Sequence, residues 1–233
     1  MRLDKYLADS GVGTRKEIKS LVRAGAVTID GAPVRDPSFH VPDAAAVCAN
    51  GKNISYKKYI YIMMNKPGGY VSATFDKRLP TVTDLLDEYS LSFGPFPAGR
   101  LDIDTEGMLI LTNDGDLCHR ILSPKKHIHK KYLVESDLPV TDDDIAAFES
   151  GVALDDGYVC MAARLERSEG KNRSFVTLCE GKFHQVKRMF ESVGKNVMYL
   201  KRVSMGNLPL DETLQPGEYR ELTDEEIDRL EEK

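Results

Sequence analysis

The stretch Gly99–Gly115, GRLDIDTEGMLILTNDG, decides the fold because it joins a polar loop directly to an apolar segment. The unbroken run Met108–Leu111 predicts a buried strand. Asn113-Asp114-Gly115 then predicts a tight turn, since these residue types tolerate positive φ. A polar loop held against a buried strand is a rigid mount for a catalytic carboxylate. Arg100 beside Asp102 would keep that carboxylate ionised.

Residue types alone leave several interpretations of this stretch. A salt-bridged loop before a core strand is the one they favour. Asp104-Thr105 begins like the Asp-Thr-Gly of aspartic proteases, but Glu106 stands in place of the glycine and no second copy exists. Asp102 and Asp104 could serve as the carboxylate pair of a hydrolase. On an extended segment, however, residues i and i+2 point to opposite faces, so the two would not flank one bond.

The same stretch closely resembles the catalytic motif of the RNA pseudouridine synthases, in the form used by the RsuA-type branch that acts on ribosomal RNA. The resemblance implies that Asp102 is the catalytic aspartate. Two other segments, Lys66-Pro67-Gly68-Gly69 and Glu180–Phe190, resemble the first and third motifs of that family. In the third motif, Lys187 falls where the family carries a basic partner for the aspartate. Arg188 is the alternative that the alignment leaves open.

The resemblance implies further roles around the aspartate. By residue type Tyr132 is a half-buried strand aromatic, but the family carries an active-site tyrosine here that would stack on the target base and could take part in the final proton removal. Arg100 would support the loop and help to hold the extruded nucleotide. Whether Asp102 attacks the sugar or the base stays open. The other substrate-binding residues expected in this part of the chain are Lys130, Lys131, Lys182, His184, Gln185 and Arg188.

Composition narrows the class of protein. The 233 residues suffice for one large or two modest domains, and 41% of them are hydrophobic. No apolar run approaches membrane-spanning length, and the N-terminus lacks the apolar centre of a signal peptide. The four cysteines form no CxxC pair. This pattern favours reduced thiols in a cytoplasmic protein over disulfides or a structural zinc site.

The net charge of −5 by itself argues against a nucleic-acid partner, but the charge is unevenly distributed. The tail from Asp211 holds ten acids against three basic residues, whereas Lys182–Arg202 holds six basic residues and one acid. We interpret the basic run Pro124–Lys131 as a phosphate-contacting loop. His127 and His129 within it could bind a metal. Two histidines spaced by one, with no third ligand nearby, are more typical of a basic surface.

Residues 1–58 predict a small N-terminal domain plus a linker, and residues 59–233 predict the catalytic domain. Thr14-Arg15-Lys16-Glu17 is a capping-box signature that opens a helix. This part of the chain resembles the S-four-type RNA-binding domain, which presents a basic helix to the RNA backbone. A solvated helix face would have the same charge pattern. The expected contact residues are Arg15, Lys16, Lys19 and Arg23.

The resemblance runs nearly end to end and implies an α+β fold, with a bent, mainly antiparallel sheet and flanking helices in the catalytic domain. It implies an isomerase that converts uridine to pseudouridine. The bond from N1 of uracil to the ribose breaks, the base turns, and a carbon–carbon bond forms. Nothing is oxidised or added, so we expect neither a cofactor nor a metal. The sequence contains no GxGxxG, phosphate loop or metal cluster.

The expected partner is ribosomal RNA, either free or in a small-subunit assembly intermediate. The target base must leave its stack to be reached. The resemblance favours 16S RNA, at position 516 in the usual numbering, and a synthase acting on 23S RNA is the alternative. An alternative from another class is a non-catalytic RNA-binding ribosome-assembly factor on a synthase scaffold. We expect a cytoplasmic monomer with no membrane partner.

Overall fold

A computed structural model describes residues 1–43, 45–54 and 56–232, with the side chain of Pro124 excepted. The chain divides into two compact units. The first contains Met1–Ile60 and Asp87–Gly94, and the second contains Tyr61–Leu86 and Pro95–Lys233. The segment Asp87–Gly94 groups with the N-terminal unit, although it lies within the range predicted for the catalytic domain. No helix among the described residues is long and apolar enough to cross a membrane.

The first unit packs two helices and a small antiparallel sheet around one apolar core. Leu3 and Leu7 on one helix, and Ile18 and Val22 on the other, are fully or almost fully buried. The predicted capping box is confirmed, because Thr14 and Glu17 exchange both of its hydrogen bonds. Strand order is β2-β1-β3-β4. The elements are α1 (Leu3–Asp9), α2 (Arg15–Arg23), β1 (Val27–Ile29), β2 (Ala32–Pro33), β3 (Val47–Ala49), β4 (Lys52–Ile54) and α3 (Glu88–Ser92).

The sequence predicts residues 43–58 as the end of the N-terminal domain plus a linker, and part of this range is folded into the first unit. Residues 47–54 form a hairpin that adds two strands to the small sheet. Its turn, Asn50-Gly51, has positive φ at both residues, which is the geometry of a two-residue hairpin loop. Strands of three residues are too short to show an alternating apolar pattern. Residues 44 and 55 of the predicted linker lie outside the described part of the chain.

The second unit is built on one nine-stranded sheet flanked by helices, in the order β13-β5-β7-β11-β8-β10-β9, with β6 and β12 paired to β7 and β11. All pairs are antiparallel except β7 with β11. Its elements are β5 (Tyr61–Lys66), β6 (Phe96–Pro97), β7 (Glu106–Thr112), α4 (Gly115–Leu122), β8 (Lys130–Ser136), α5 (Asp142–Ser150), β9 (Arg164–Arg167), β10 (Arg173–Leu178), α6 (Gln185–Ser192), β11 (Val197–Met205), β12 (Leu208–Pro209), β13 (Tyr219–Glu221) and α7 (Asp224–Glu231).

The predicted strand Met108–Leu111 lies inside β7, between β5 and β11, and its four residues are completely buried. Met108 and Ile110 belong to a core cluster with Leu117 and Ile121 of α4 and Leu230 of α7. The loop that carries Asp102 therefore leads into the interior of the sheet. Burial of this strand on both faces explains why its sequence is a continuous apolar run.

Three local predictions in the second unit are wrong. Asn113-Asp114-Gly115 does not form the predicted tight turn with positive φ, because Asp114 has a φ of −87° and caps α4, accepting hydrogen bonds from the backbone N–H groups of residues 116 and 117. The sequence Tyr70-Val71-Ser72 suggests that a strand resumes after the Pro-Gly turn, but Val71 makes only an isolated bridge to Thr81. The apolar residues Val82, Leu85 and Leu86 suggest a short helix from Thr81 to Tyr89, but this range consists of a 3-10 turn, Val82–Leu85, and the start of the separate helix α3.

Candidate active site

A cleft of about 760 Å³ opens in the second unit, within the size range of ligand pockets. Its lining comes from the loop before β7, the start of β8, the middle of β11 and the segment before α6. Residues far apart in the sequence are brought together there. They include Arg100, Asp102, Tyr132, Glu180, His184 and Arg202.

The loop from Leu101 to Thr105 turns rather than running extended, because the Thr105 N–H donates to the Asp102 carbonyl at 3.1 Å. Both acidic side chains consequently reach one ammonium group. Lys187 Nζ lies 3.4 Å from Asp102 Oδ2 and 2.6 Å from Asp104 Oδ1. The expectation that Asp102 and Asp104 point to opposite faces is therefore wrong. An extended segment would separate them, and this turn does not.

The third motif brings Lys187, and not Arg188, to the aspartates. The two residues are neighbours on α6 and point in different directions. Arg188 forms ion pairs with Asp155 and Asp156. Of the two candidates, Lys187 is the one with the geometry of the expected basic partner. Its catalytic role, like a contact between Arg188 and substrate, stays a prediction.

The charge of Lys187 acts most strongly on Asp104. Burial by itself raises the pKa of the Asp104 carboxyl, but the hydrogen bond and the charge of Lys187 outweigh burial and bring the pKa below its ordinary value. The Asp104 side chain is 67% exposed, whereas that of Asp102 is 24% exposed. Asp102 is thus the more enclosed of the two carboxylates and the one that lines the cleft.

Arg100 does not form the predicted ion pair with Asp102. It is exposed at the cleft, and it has no hydrogen-bond or ion-pair partner within residues 1–43, 45–54 and 56–232. Lys187 approaches one oxygen of Asp102, and His184 Nε2 lies 3.6 Å from the other. The Arg100 guanidinium is therefore available to a ligand, which agrees with the predicted contact to the nucleotide.

Tyr132 lines the cleft and is 8% exposed, so it is more buried than the half-buried aromatic that its residue type suggests. Its partner across β8 and β11 is Arg202. Arg202 is 2% exposed and donates through Nε to the Met108 carbonyl at 2.7 Å. Sequence reasoning counted Arg202 only as the end of the basic stretch Lys182–Arg202 and did not identify it as a cleft residue.

Lys130 is buried rather than exposed on a surface loop, so the predicted phosphate-contacting loop Pro124–Lys131 is wrong at this residue, while Lys130 lines the cleft and its contact with substrate stays a prediction. It is the first residue of β8, is 5% exposed, and donates to the carbonyls of Ile128 and Cys179. Burial lowers the pKa of its amine to about 8, and the nearby Arg202 charge acts in the same direction. Alternation along the strand places Lys130 on the same face as Tyr132.

The remaining predicted substrate contacts have different surroundings. Lys131 lies on the other face of β8 and places its ammonium 4.5 Å from the centre of the Phe175 ring. Gln185 is 5% exposed, and its carboxamide already bonds Glu180 and the Lys182 N–H. This arrangement speaks against Gln185 as a direct contact. Lys182 is exposed and lines the cleft. These substrate roles stay predictions.

Lys66 stabilises the loop from Leu101 to Thr105, which we call the aspartate loop. By residue type alone, Lys66-Pro67-Gly68-Gly69 is an ordinary Pro-Gly turn. The side chain is completely buried, and its Nζ donates to the carbonyls of Thr105 at 2.8 Å, Pro67 at 3.0 Å and Ile103 at 3.3 Å. Two of these carbonyls flank Asp104. The ammonium thus holds the turn that presents both aspartates.

We predict that Lys66→Met flattens the pH dependence of stability. Burial lowers the pKa of Lys66 to about 8 from an ordinary 10.5. Between these values the unfolded chain binds more protons than the folded protein, so the free energy of unfolding rises with pH. A lysine with this pKa shift raises the free energy of unfolding by roughly 1.5 kcal/mol between pH 8 and pH 9.5. Urea unfolding at both pH values should show the rise reduced in Lys66→Met. It should be unchanged in Lys171→Met, whose lysine is exposed.

The four predicted RNA-contacting residues of the first unit share the exposed side of α2. Ile18 and Val22 of the same helix are buried against the core of that unit. The helix therefore presents its charged face to solvent. The four exposed residues are Arg15, Lys16, Lys19 and Arg23.

Comparison with known protein families identifies both parts of the chain. A model described as RNA pseudouridylate synthase matches residues 60–192, and a model of the S4 domain matches residues 1–47. The longer match contains Asp102, Tyr132 and Lys187. The shorter match contains both helices of the first unit that carry its core.

Relatives match the chain over almost its full length. It is 52% identical over 236 residues to an uncharacterized RNA pseudouridine synthase of Bacillus subtilis (strain 168), a match covering 100% of this chain and 99% of the relative. It is 40% identical to the ribosomal small subunit pseudouridine synthase A of Escherichia coli (strain K12), covering 97% and 98%. A crystal structure of a pseudouridylate synthase has a TM-score of 0.69 at 37% identity, covering 99% of each chain.

Proposed function

The chain belongs to the RNA pseudouridylate synthase family and is an RNA pseudouridine synthase of the RsuA type, and we propose that it converts one uridine of 16S ribosomal RNA, at position 516, to pseudouridine. The choice of RNA rests on one observation, the full-length similarity to relatives named ribosomal small subunit pseudouridine synthase A. We further propose that it acts as a monomer in the cytoplasm, on free RNA or on a small-subunit assembly intermediate.

In the proposed reaction, Asp102 is the group that attacks either the ribose or the uracil ring. The N1–C1′ bond breaks, the base turns while it is held, and a C5–C1′ bond forms. The proton on C5 leaves and N1 gains a proton, so the change is an isomerisation. Lys187 supports this role because its ammonium lies 3.4 Å from Asp102 and would hold the carboxylate in position through an ion pair.

The cleft would hold the uridine after it leaves the RNA stack. Extrusion costs a few kcal/mol. The Tyr132 ring lines the cleft and would stack on the base, and Tyr132 could take part in removing the C5 proton. Arg100, whose guanidinium has no partner among the described residues, lines the same cleft and would contact the nucleotide or its phosphate. Phosphate contacts elsewhere on the protein offset the cost of extrusion.

We propose that the first unit contributes affinity and not chemistry. The double variant Lys16→Ala/Lys19→Ala should weaken RNA binding and reduce the slope of log affinity against log salt by about 1.5, since each lost phosphate contact removes about 0.7 to 0.9. Turnover at saturating RNA should be unchanged. Filter binding at several salt concentrations and single-turnover rates provide the two measurements.

The matched control for charge is Lys171→Ala/Arg229→Ala, which removes two exposed basic residues from the second unit. This control should leave the salt slope unchanged. Loss of turnover at saturating RNA in the Lys16/Lys19 variant would contradict the division of labour between the two units.

The proposed substrate is tested by incubating the purified protein with 16S RNA, 23S RNA and partly assembled small subunits, and then mapping new pseudouridines by carbodiimide labelling. One new site in 16S RNA, at position 516, is the expected result. A site only in 23S RNA would contradict the choice of RNA. A site only in the assembly particle would identify an assembly intermediate as the substrate. No site in any of them would favour a non-catalytic RNA-binding assembly factor.

A further inference from the structure

Exposed apolar side chains collect at the mouth of the cleft. Single exposed apolar residues are common on any protein, but a cluster of them indicates a binding surface. Ile103 comes from the aspartate loop, Tyr158 and Met161 from the segment before β9, and Phe183 from the segment before α6. All four line the cleft, and Phe183 is the most exposed of them at 69%.

The Phe183 ring is supported on one of its faces by the neighbouring His184 ring. It stacks on the His184 ring with 3.8 Å between the ring centres and 18° between the planes. His184 has a left-handed backbone conformation, φ 48°, and its Nε2 lies 3.6 Å from Asp102 Oδ1. An exposed fraction of 69% therefore leaves the other face of the Phe183 ring open to a ligand. The ring is both supported and available.

Basic side chains accompany this aromatic surface. Lys182 is the residue before Phe183, and its ammonium lies 4.5 Å from the centre of the Tyr158 ring. Arg100 is exposed at the same cleft without a partner among the described residues. Flat rings next to cations that form no ion pair among the described residues suit a nucleic acid, whose bases stack while its phosphates bind the cations. If an apolar protein surface bound here instead, Lys182 and Arg100 would be covered without a negative charge to pair with them.

We propose that Phe183 stacks on the nucleobase next to the target uridine. This inference rests on the proposed function, because extrusion of a uridine into the cleft leaves its neighbours without a stacking partner. Tyr132 lines the cleft and would meet the extruded base itself, whereas Phe183 lies at the mouth, where the flanking nucleotide must run. Stacking on Phe183 replaces the base-stacking contact that the neighbouring nucleotide loses when the uridine is extruded.

The test uses 16S fragments that carry 2-aminopurine, whose fluorescence is quenched by stacking, at each position flanking the mapped target in turn. Phe183→Leu keeps an apolar side chain without a ring, and Phe183→Tyr keeps the ring. Binding to the protein and to Phe183→Tyr should quench the probe at one flanking position. Phe183→Leu should leave that probe unquenched and raise the Kd about 5- to 100-fold. Met198→Ala, which alters an equally exposed apolar residue (72%), should behave as the unaltered protein.

Several outcomes would overturn this inference. Equal quenching and equal Kd in Phe183→Leu would show that the ring stacks on no base. Lower turnover in Phe183→Leu with normal quenching would make Phe183 only a support for His184. Capture of a protein partner by the same surface, with RNA affinity unaffected, would assign the surface to that partner. Failure of the proposed function is distinguishable, because the unaltered protein would then form no pseudouridine in any ribosomal RNA.

Discussion

Asp102→Asn should abolish pseudouridine formation while the protein stays folded and binds RNA. The amide has the same shape as the carboxylate but is neither a nucleophile nor a base, so the rate should fall by at least about 1,000-fold. The cost to stability should be small, because the nearest basic nitrogen atoms, on Lys187 and His184, are at 3.4 and 3.6 Å and the side chain is 24% exposed. Carbodiimide mapping measures the product, while filter binding and thermal unfolding measure the retained properties.

Asp104→Asn is the matched control for this variant. Asp104 lies in the same turn, contacts the same Lys187 more closely, and has a side chain that is 67% exposed. Its substitution should lower the rate by less than about 10-fold, because it acts on Lys187 and not on the substrate. If Asp104→Asn were inactive and Asp102→Asn active, the assignment of the catalytic aspartate would be wrong.

Lys187→Met should lower turnover by about 100-fold, the second largest effect expected here. The variant leaves the carboxylates of Asp102 and Asp104 without the ammonium that both now contact. A 100-fold loss of rate corresponds to a rise of about 2.7 kcal/mol in the activation free energy. The pKa of Asp104 should rise toward its ordinary value, because the hydrogen bond and charge of Lys187 bring it down. Single-turnover rates and a carboxyl-carbon NMR titration of Asp104 measure the two effects.

Arg188→Met separates the role of this lysine from a general loss of positive charge on α6. Arg188 is the next residue of the helix, and its partners are Asp155 and Asp156 rather than the aspartate loop. At saturating RNA we expect turnover within about threefold of the unaltered protein, because the ion pairs of Arg188 do not involve Asp102 or Asp104. A loss as large as that of Lys187→Met would show that the third motif acts through both cations.

Local sequence signals predicted the elements that carry the site. The run Met108–Leu111 is apolar without a break, and Val186, Met189 and Phe190 are spaced as on one face of a helix. The structure confirms both, as β7 and as the buried face of α6. Such elements are predictable because the apolar pattern that buries them is contained in a few consecutive residues.

The geometry of the aspartate loop was not predictable in this way. Its turn depends on Lys66, which donates to two loop carbonyls 37 and 39 residues further along the chain. A loop whose shape depends on a distant side chain carries little local signal. The burial of Lys130, by contrast, could have been predicted from the sequence, because residues two positions apart in a strand share one face and Tyr132 points inward.

The release of the C5 hydrogen tests most directly whether the Asp102 cleft forms pseudouridine in 16S RNA. The new C5–C1′ bond requires that hydrogen to leave, so 16S RNA containing [5-³H]uridine should release tritium during a single turnover. We predict about one tritium per RNA molecule with the unaltered protein, and none with Asp102→Asn at the same RNA occupancy. Equal release by both proteins would contradict the role of Asp102, and no release by either would contradict the proposed reaction on this RNA.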